Sequence, residues 1–143
     1  MDVFQYLEID EKRITDLLHE IDDNFAKWPM DQVFSASKKA IRAIQLHFDK
    51  LEQIVNGVAA SEMDGMISMF REKKSEINEL ISDKLVMIHI DEPGFEELLE
   101  QLAKKVENLF RFCDEELYPT VKSSATDHEL QSIKRSVEDM VLS

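Results

Sequence analysis

Four long segments of this chain each carry one apolar stripe at helical spacing, and that pattern constrains the fold more than any other feature. The first holds Leu7, Ile14, Leu17, Leu18, Ile21 and Phe25, and the second Val33, Ala40, Ile41, Ile44, Phe48, Leu51 and Val55. The third holds Met63, Met66, Ile67, Phe70, Ile77, Ile81 and Leu85, and the fourth Phe95, Leu98, Leu99, Leu102, Val106, Leu109, Cys113 and Leu117. Apolar positions at i, i+3, i+4 and i+7 give each helix one face that only another helix can cover. Helices of about 20 residues joined by short links pack as antiparallel neighbours. The expected fold is therefore all-α, an up-down-up-down four-helix bundle. A short C-terminal fifth helix carries Leu130, Ile133, Val137 and Val141. With only 3 Gly and 3 Pro among 143 residues, little interrupts such helices. The length suits one domain over residues 1–143, large enough to bury a core without cross-links.

The expected boundaries have physical causes. Asp10 is a cap candidate for the ordered part of the first helix, and Trp28-Pro29 ends it, because a residue before proline avoids the helical conformation. Gly57 suits a left-handed C-terminal cap. Ser61-x-x-Asp64 reads as an N-cap with an acid three residues on. Asp91-Glu92-Pro93 opens the fourth helix and Tyr118-Pro119 lies at its end. Thr126-x-x-Glu129 is a capping box for the fifth.

Charge narrows the partners. With 30 acidic against 17 basic side chains the net charge is −13, which repels phosphate backbones and anionic lipid. That disfavours nucleic acid and membrane and leaves a basic protein as the compatible partner class. No apolar run approaches the roughly 18 residues that span a bilayer. Met1-Asp2-Val3-Phe4-Gln5-Tyr6 lacks the basic and apolar regions of a signal peptide. The single cysteine, Cys113, forms no internal disulfide, and the expected location is cytoplasmic.

Several stretches resemble the hemerythrin-like family. Leu7-Glu8-Ile9-Asp10-Glu11-Lys12-Arg13-Ile14 resembles its first helix, where an Asp-His pair precedes x-x-Ile. His47-Phe48-Asp49-Lys50-Leu51 resembles its His-x-x-x-Glu helix, and Lys73-Lys74-Ser75-Glu76-Ile77 its third. Asp91-Glu92-Pro93-Gly94-Phe95 through Glu116-Leu117-Tyr118-Pro119 resembles its fourth, including the Leu-Phe/Tyr-Pro ending. The resemblance implies a four-helix bundle with two non-haem irons held inside by His and carboxylate. Carried over position by position, the ligands fall on Glu11, His47, Leu51, Lys74, Leu109 and Cys113. Only His47 matches. Glu11 keeps a carboxylate, Cys113 offers a thiol, and Leu51, Leu109 and Lys74 offer iron nothing. At about 100° per residue all these positions still fall on inward faces. A lone inward lysine needs a partner or an exit to solvent. Lys74 therefore either pairs with Glu11, with His47 beside them, or snorkels to the bundle end.

The remaining candidates favour ordinary structure. Met63, Met66 and Met69 have soft-metal spacing but follow the core stripe. Cys113 is central in its stripe, and a buried thiol is inert. His19 is off the stripe, His89 lies in a loop and His128 follows a cap, none at metal-ligand spacing. Asp114-Glu115-Glu116 reads as a solvated face rather than a catalytic carboxylate pair. Phosphate loops, nucleophile elbows and zinc signatures are absent. The expectation is a non-enzymatic hemerythrin-like bundle without a metal or other cofactor, serving as a binding or regulatory module. The alternative is a metal-binding member of that family, a non-haem di-iron protein for oxygen or iron sensing or storage.

Overall fold

The computed structural model describes residues 2–89 and 92–140 and contains no strand among them. Helix α1 spans Val3–Asn24 and α2 Met30–Asn56; a 3-10 turn at Ser61–Met63 leads into α3, Asp64–Leu80, which runs on through a π turn at Ile81–Leu85. Helix α4 spans Phe95–Phe112 and continues through a second π turn, Cys113–Leu117, into α5, Tyr118–Ser124; α6 is Asp127–Glu138.

Cross-helix pairs fix the direction of each helix. Asp10 meets His47 and Tyr6 meets Lys50, so α2 runs against α1. Glu52 meets Arg71 and Lys74 across α2 and α3. Glu76 meets Lys105 and Lys73 lies over Phe112, so α4 opposes α3. His19 meets Glu107 and Glu11 meets Tyr118, so the α4–α5 rod also opposes α1. This is the expected up-down-up-down bundle, and α6 closes it by packing on α2 and α1.

The stripes meet as their spacing requires. Leu7, Ile14, Ile44, Leu51, Phe70, Ile77, Leu102 and Leu109 are all buried in one core. Met63 joins that core, Met66 packs at its edge and Met69 is exposed, so the methionine series follows the stripe rather than a metal.

Several boundaries differ from expectation, each for a local reason. Helix α1 begins earlier than Asp10, because Asp2 and Gln5 form a reciprocal capping box there. Ser61 makes no side-chain cap and instead opens the 3-10 turn. Gly57 is right-handed at φ −85° rather than left-handed. What requires a glycine there is close approach: a Cβ would lie 2.4 Å from Cγ1 of Ile133 on α6. Gly94, at φ +109°, has the one left-handed backbone among the described residues and precedes α4. Asp91 and Val141 lie outside the described residues. Tyr118-Pro119 does not end the fourth helix. Pro119 sits within the first turn of α5, where a missing N–H is tolerated, and the rod continues to Ser124. The Thr126–Glu129 capping box forms as expected.

Candidate functional site

The inner faces of α1, α2 and the α4–α5 rod converge on a cluster of polar groups. Glu11 and His47 come from the first two helices and Cys113, Asp114 and Tyr118 from the third. His47, Cys113 and Tyr118 are at most 2% exposed and Glu11 is 4% exposed, while Asp114 is exposed and borders the cluster on the solvent side.

Asp10 and His47 form one half. His47 Nδ1 lies 2.7 Å from Asp10 Oδ2. Burial lowers the imidazole pKa, and Asp10 offsets only part of that. Burial works against the Asp10 carboxylate too, but the His47 hydrogen bond and the nearby positive charges prevail and hold its pKa below the usual value. Asp10 is therefore the ionised acceptor and neutral His47 carries its proton on Nδ1. Lys50, 3% exposed, supplies the balancing cation: its Nζ lies 3.5 Å from Asp10 Oδ2 and donates to Tyr6 Oη at 3.1 Å. It also sits over the Tyr6 ring, 5.0 Å from the centroid.

Glu11 anchors the other half. Tyr118 donates its hydroxyl to Glu11 Oε2 at 2.9 Å. Burial, with the Asp114 carboxyl beside it, pushes the Glu11 pKa up to about 10 against the opposing pull of Tyr118. Glu11 is thus a neutral carboxylic acid at pH 7, and burial raises the pKa of the neighbouring Asp114 carboxyl as well. Burial also pushes the Cys113 thiol well up, and the charges of Glu11 and Asp114 add to this. Cys113 is a thiol rather than a thiolate nucleophile.

Two atoms stand out. Glu11 Oε1 and His47 Nε2 are buried without a hydrogen-bond partner, and Nε2 lies 3.9 Å from Glu11 Oε2. That is beyond hydrogen-bond reach. The Phe110 ring meets His47 edge-on at 4.9 Å between centroids and holds the imidazole in place.

The six ligand-equivalent positions divide accordingly. Glu11, His47 and Cys113 reach the cluster. Leu51 and Leu109 are fully buried core residues with no donor atom. Lys74 does not pair with Glu11: its Nζ donates to Glu52 Oε1 at 2.7 Å, at the α2–α3 edge, where Arg71 also meets Glu52. A lysine side chain 22% exposed reaches that edge with its charge still partly hydrated, which an inward course would forbid. A di-iron centre needs several His and carboxylate donors converging from all four helices, and these residues do not fit one. Among the described residues, the group of three acidic donors that does converge, Asp22, Glu96 and Glu100, is exposed and elsewhere.

Asp10, Lys50, Tyr6, Asp114 and Tyr118 carry the cluster without having stood out as a site in the sequence. Tyr6, Asp10, His47 and Lys50 were legible in principle, since i, i+4 on one helix faces i, i+3 on its antiparallel neighbour. Asp114 is exposed, as the solvated-face reading expects, and its carboxyl meets Glu11 from the edge of the rod. Glu115 and Glu116 remain on the expected solvated face. His19, off the stripe, pairs with Glu107 at 2.7 Å near the surface, and His89 and His128 are exposed.

Fold and interior together define a four-helix bundle built round a largely buried, proton-bearing polar cluster. No helix among the described residues is long and apolar enough to cross a membrane. No family model, curated protein or solved structure matches this chain.

Proposed function

We propose that this chain is a non-enzymatic, hemerythrin-like bundle whose di-iron site has degenerated, working as a binding or regulatory module. The observation that carries the reading is what the ligand-equivalent positions hold. Leu51 and Leu109 are donor-free core residues, Lys74 is committed to Glu52, and Glu11 and His47 are held by Tyr118 and Asp10. A buried neutral acid and a buried protonated thiol also offer a substrate no nucleophile. The acidic exterior, at net −13, is the surface that suits a basic protein partner.

One observation favours the metal-binding alternative. His47 Nε2 is a bare lone pair, oriented from behind by Asp10 as a ligating imidazole is by its carboxylate, and Glu11 Oε1 is unpartnered beside it. Metal analysis and the visible spectrum of protein from iron-supplemented cells separate the two. The proposal expects colourless protein with iron well below one equivalent, and a melting temperature that chelator leaves unchanged. Two irons per chain with an oxo-bridge band overturn it.

A further inference from the structure

A groove of about 360 Å³ runs along the outer face of α2, between that helix and the π turn that ends α3. Phe34 and Ile41 of α2, Ile81 and Leu85 of the π turn, Val86 after it and Phe95 at the start of α4 form its apolar walls. Phe34 is 48% and Val86 66% exposed, so large apolar side chains stand open to solvent at its rim. Ile81 and Leu85, four residues apart on the π turn, share one wall.

The polar part of the lining is unusual for this chain. Lys38 and Arg42 line the groove and, among the described residues, no Asp or Glu does, in a protein where acids outnumber bases 30 to 17. The two cations are one helical turn apart on the same face of α2. Neither forms an ion pair among the described residues. Lys38 Nζ instead lies over the Phe34 ring, 5.1 Å from its centroid. Ser37, which precedes Lys38 and also lines the groove, is 3% exposed and its Oγ has no hydrogen-bond partner. A groove with apolar walls, two uncommitted cations and a spare hydroxyl matches a ligand with an alkyl body and a negative head.

We propose that this groove binds a single-chain amphiphile with an anionic head, its tail along Ile41, Ile81 and Leu85 and its head between Lys38 and Arg42. The volume lies at the low end for small-ligand pockets, which suits one alkyl chain and excludes a two-tailed lipid. A carboxylate and a phosphate monoester share the recognised chemistry. The groove shares no residue with the interior cluster, so this inference stands whether or not that cluster binds metal.

Calorimetric titration of the full chain with decanoate, decyl phosphate and decan-1-ol tests it. One anion is expected to bind per chain, in preference to the alcohol. Lys38→Gln with Arg42→Gln is expected to weaken the anion about tenfold or more and leave the alcohol unchanged. Both side chains are exposed, so the variant keeps its fold, and its melting curve checks this. Val86→Asp is expected to weaken all three ligands. The tighter of the two anions identifies the head, and either ranking supports the site. The proposal is overturned if neither anion saturates, if the double variant binds as the parent does, or if several anions bind per chain regardless of these residues. A dimer that Val86→Asp dissociates, with no decanoate bound, assigns the groove to a second copy and also overturns it.

Discussion

The Tyr118 hydroxyl donates to Glu11 Oε2 across 107 residues of sequence, tying the α4–α5 rod to α1 inside the core. Both side chains are buried, so losing either leaves the other's polar atom in a poor solvent. Tyr118→Phe is expected to cost about 1–3 kcal/mol, because it removes the hydroxyl that bonds Glu11 Oε2 inside the core. Urea unfolding at pH 7 measures it, and a change under about 0.5 kcal/mol would show that the bond contributes nothing net.

The raised pKa of Glu11 fixes the sign of a pH effect. Folded Glu11 keeps its proton to about pH 10, whereas the unfolded side chain loses it near its ordinary value of 4.5. Between these values the folded state binds more protons, so this group's contribution to stability is complete below about 4.5 and is lost as pH rises towards 10. Glu11→Gln keeps a neutral acceptor for Tyr118 without the ionisable proton. The stability of the parent relative to this variant is expected to fall steadily from pH 5 to pH 9. A difference that stays flat over that range would mean Glu11 is ionised in the folded protein.

Lys74 and Glu52 form a partly hydrated pair, and that limits what they contribute. Lys74→Met is expected to change stability by less than about 1 kcal/mol, and its coupling to Glu52→Gln to be of the same size. Coupling between Lys74→Met and Glu11→Gln is expected to be zero, since Lys74 pairs with Glu52 and Glu11 with Tyr118. A double-mutant cycle measures both, and a Glu11–Lys74 coupling of about 2 kcal/mol or more would place Lys74 in the interior after all.

Gly57 gives α6 its seat. Gly57→Ala drives a methyl group to within 2.4 Å of Ile133 Cγ1 and 3.0 Å of the Gln53 carbonyl oxygen. Overpacking of this kind is expected to cost about 1–3 kcal/mol. Ile133→Val, which trims the facing side chain, is expected to recover part of that loss in the double variant. Hydrogen exchange should show α6 opening first, and unchanged protection there would refute the close approach.

The sequence by itself determined the helices, their number and their inward faces. Stripes such as Leu7–Ile14–Leu18–Ile21 and Leu102–Val106–Leu109–Leu117 are set by a fixed rotation per residue, a purely local quantity. The Thr126–Glu129 box was legible for the same reason: both its hydrogen bonds close within one turn. That Glu11, His47 and Cys113 face inward also followed from rotation alone. Tertiary structure decided which inward groups meet. Lys74 sits near the middle of its stripe, yet its four-carbon stem carries the charge to Glu52 at the helix edge, a choice set by access to water. Asp114 stays exposed at the edge of its rod, and it neighbours Glu11 only because the α4–α5 rod packs beside α1. Lys50 joined Asp10 and Tyr6 only once α1 and α2 had taken their register. Register, the packing of one helix beside another and the route of a long side chain depend on groups far apart in the chain, and those made this interior a network of protons.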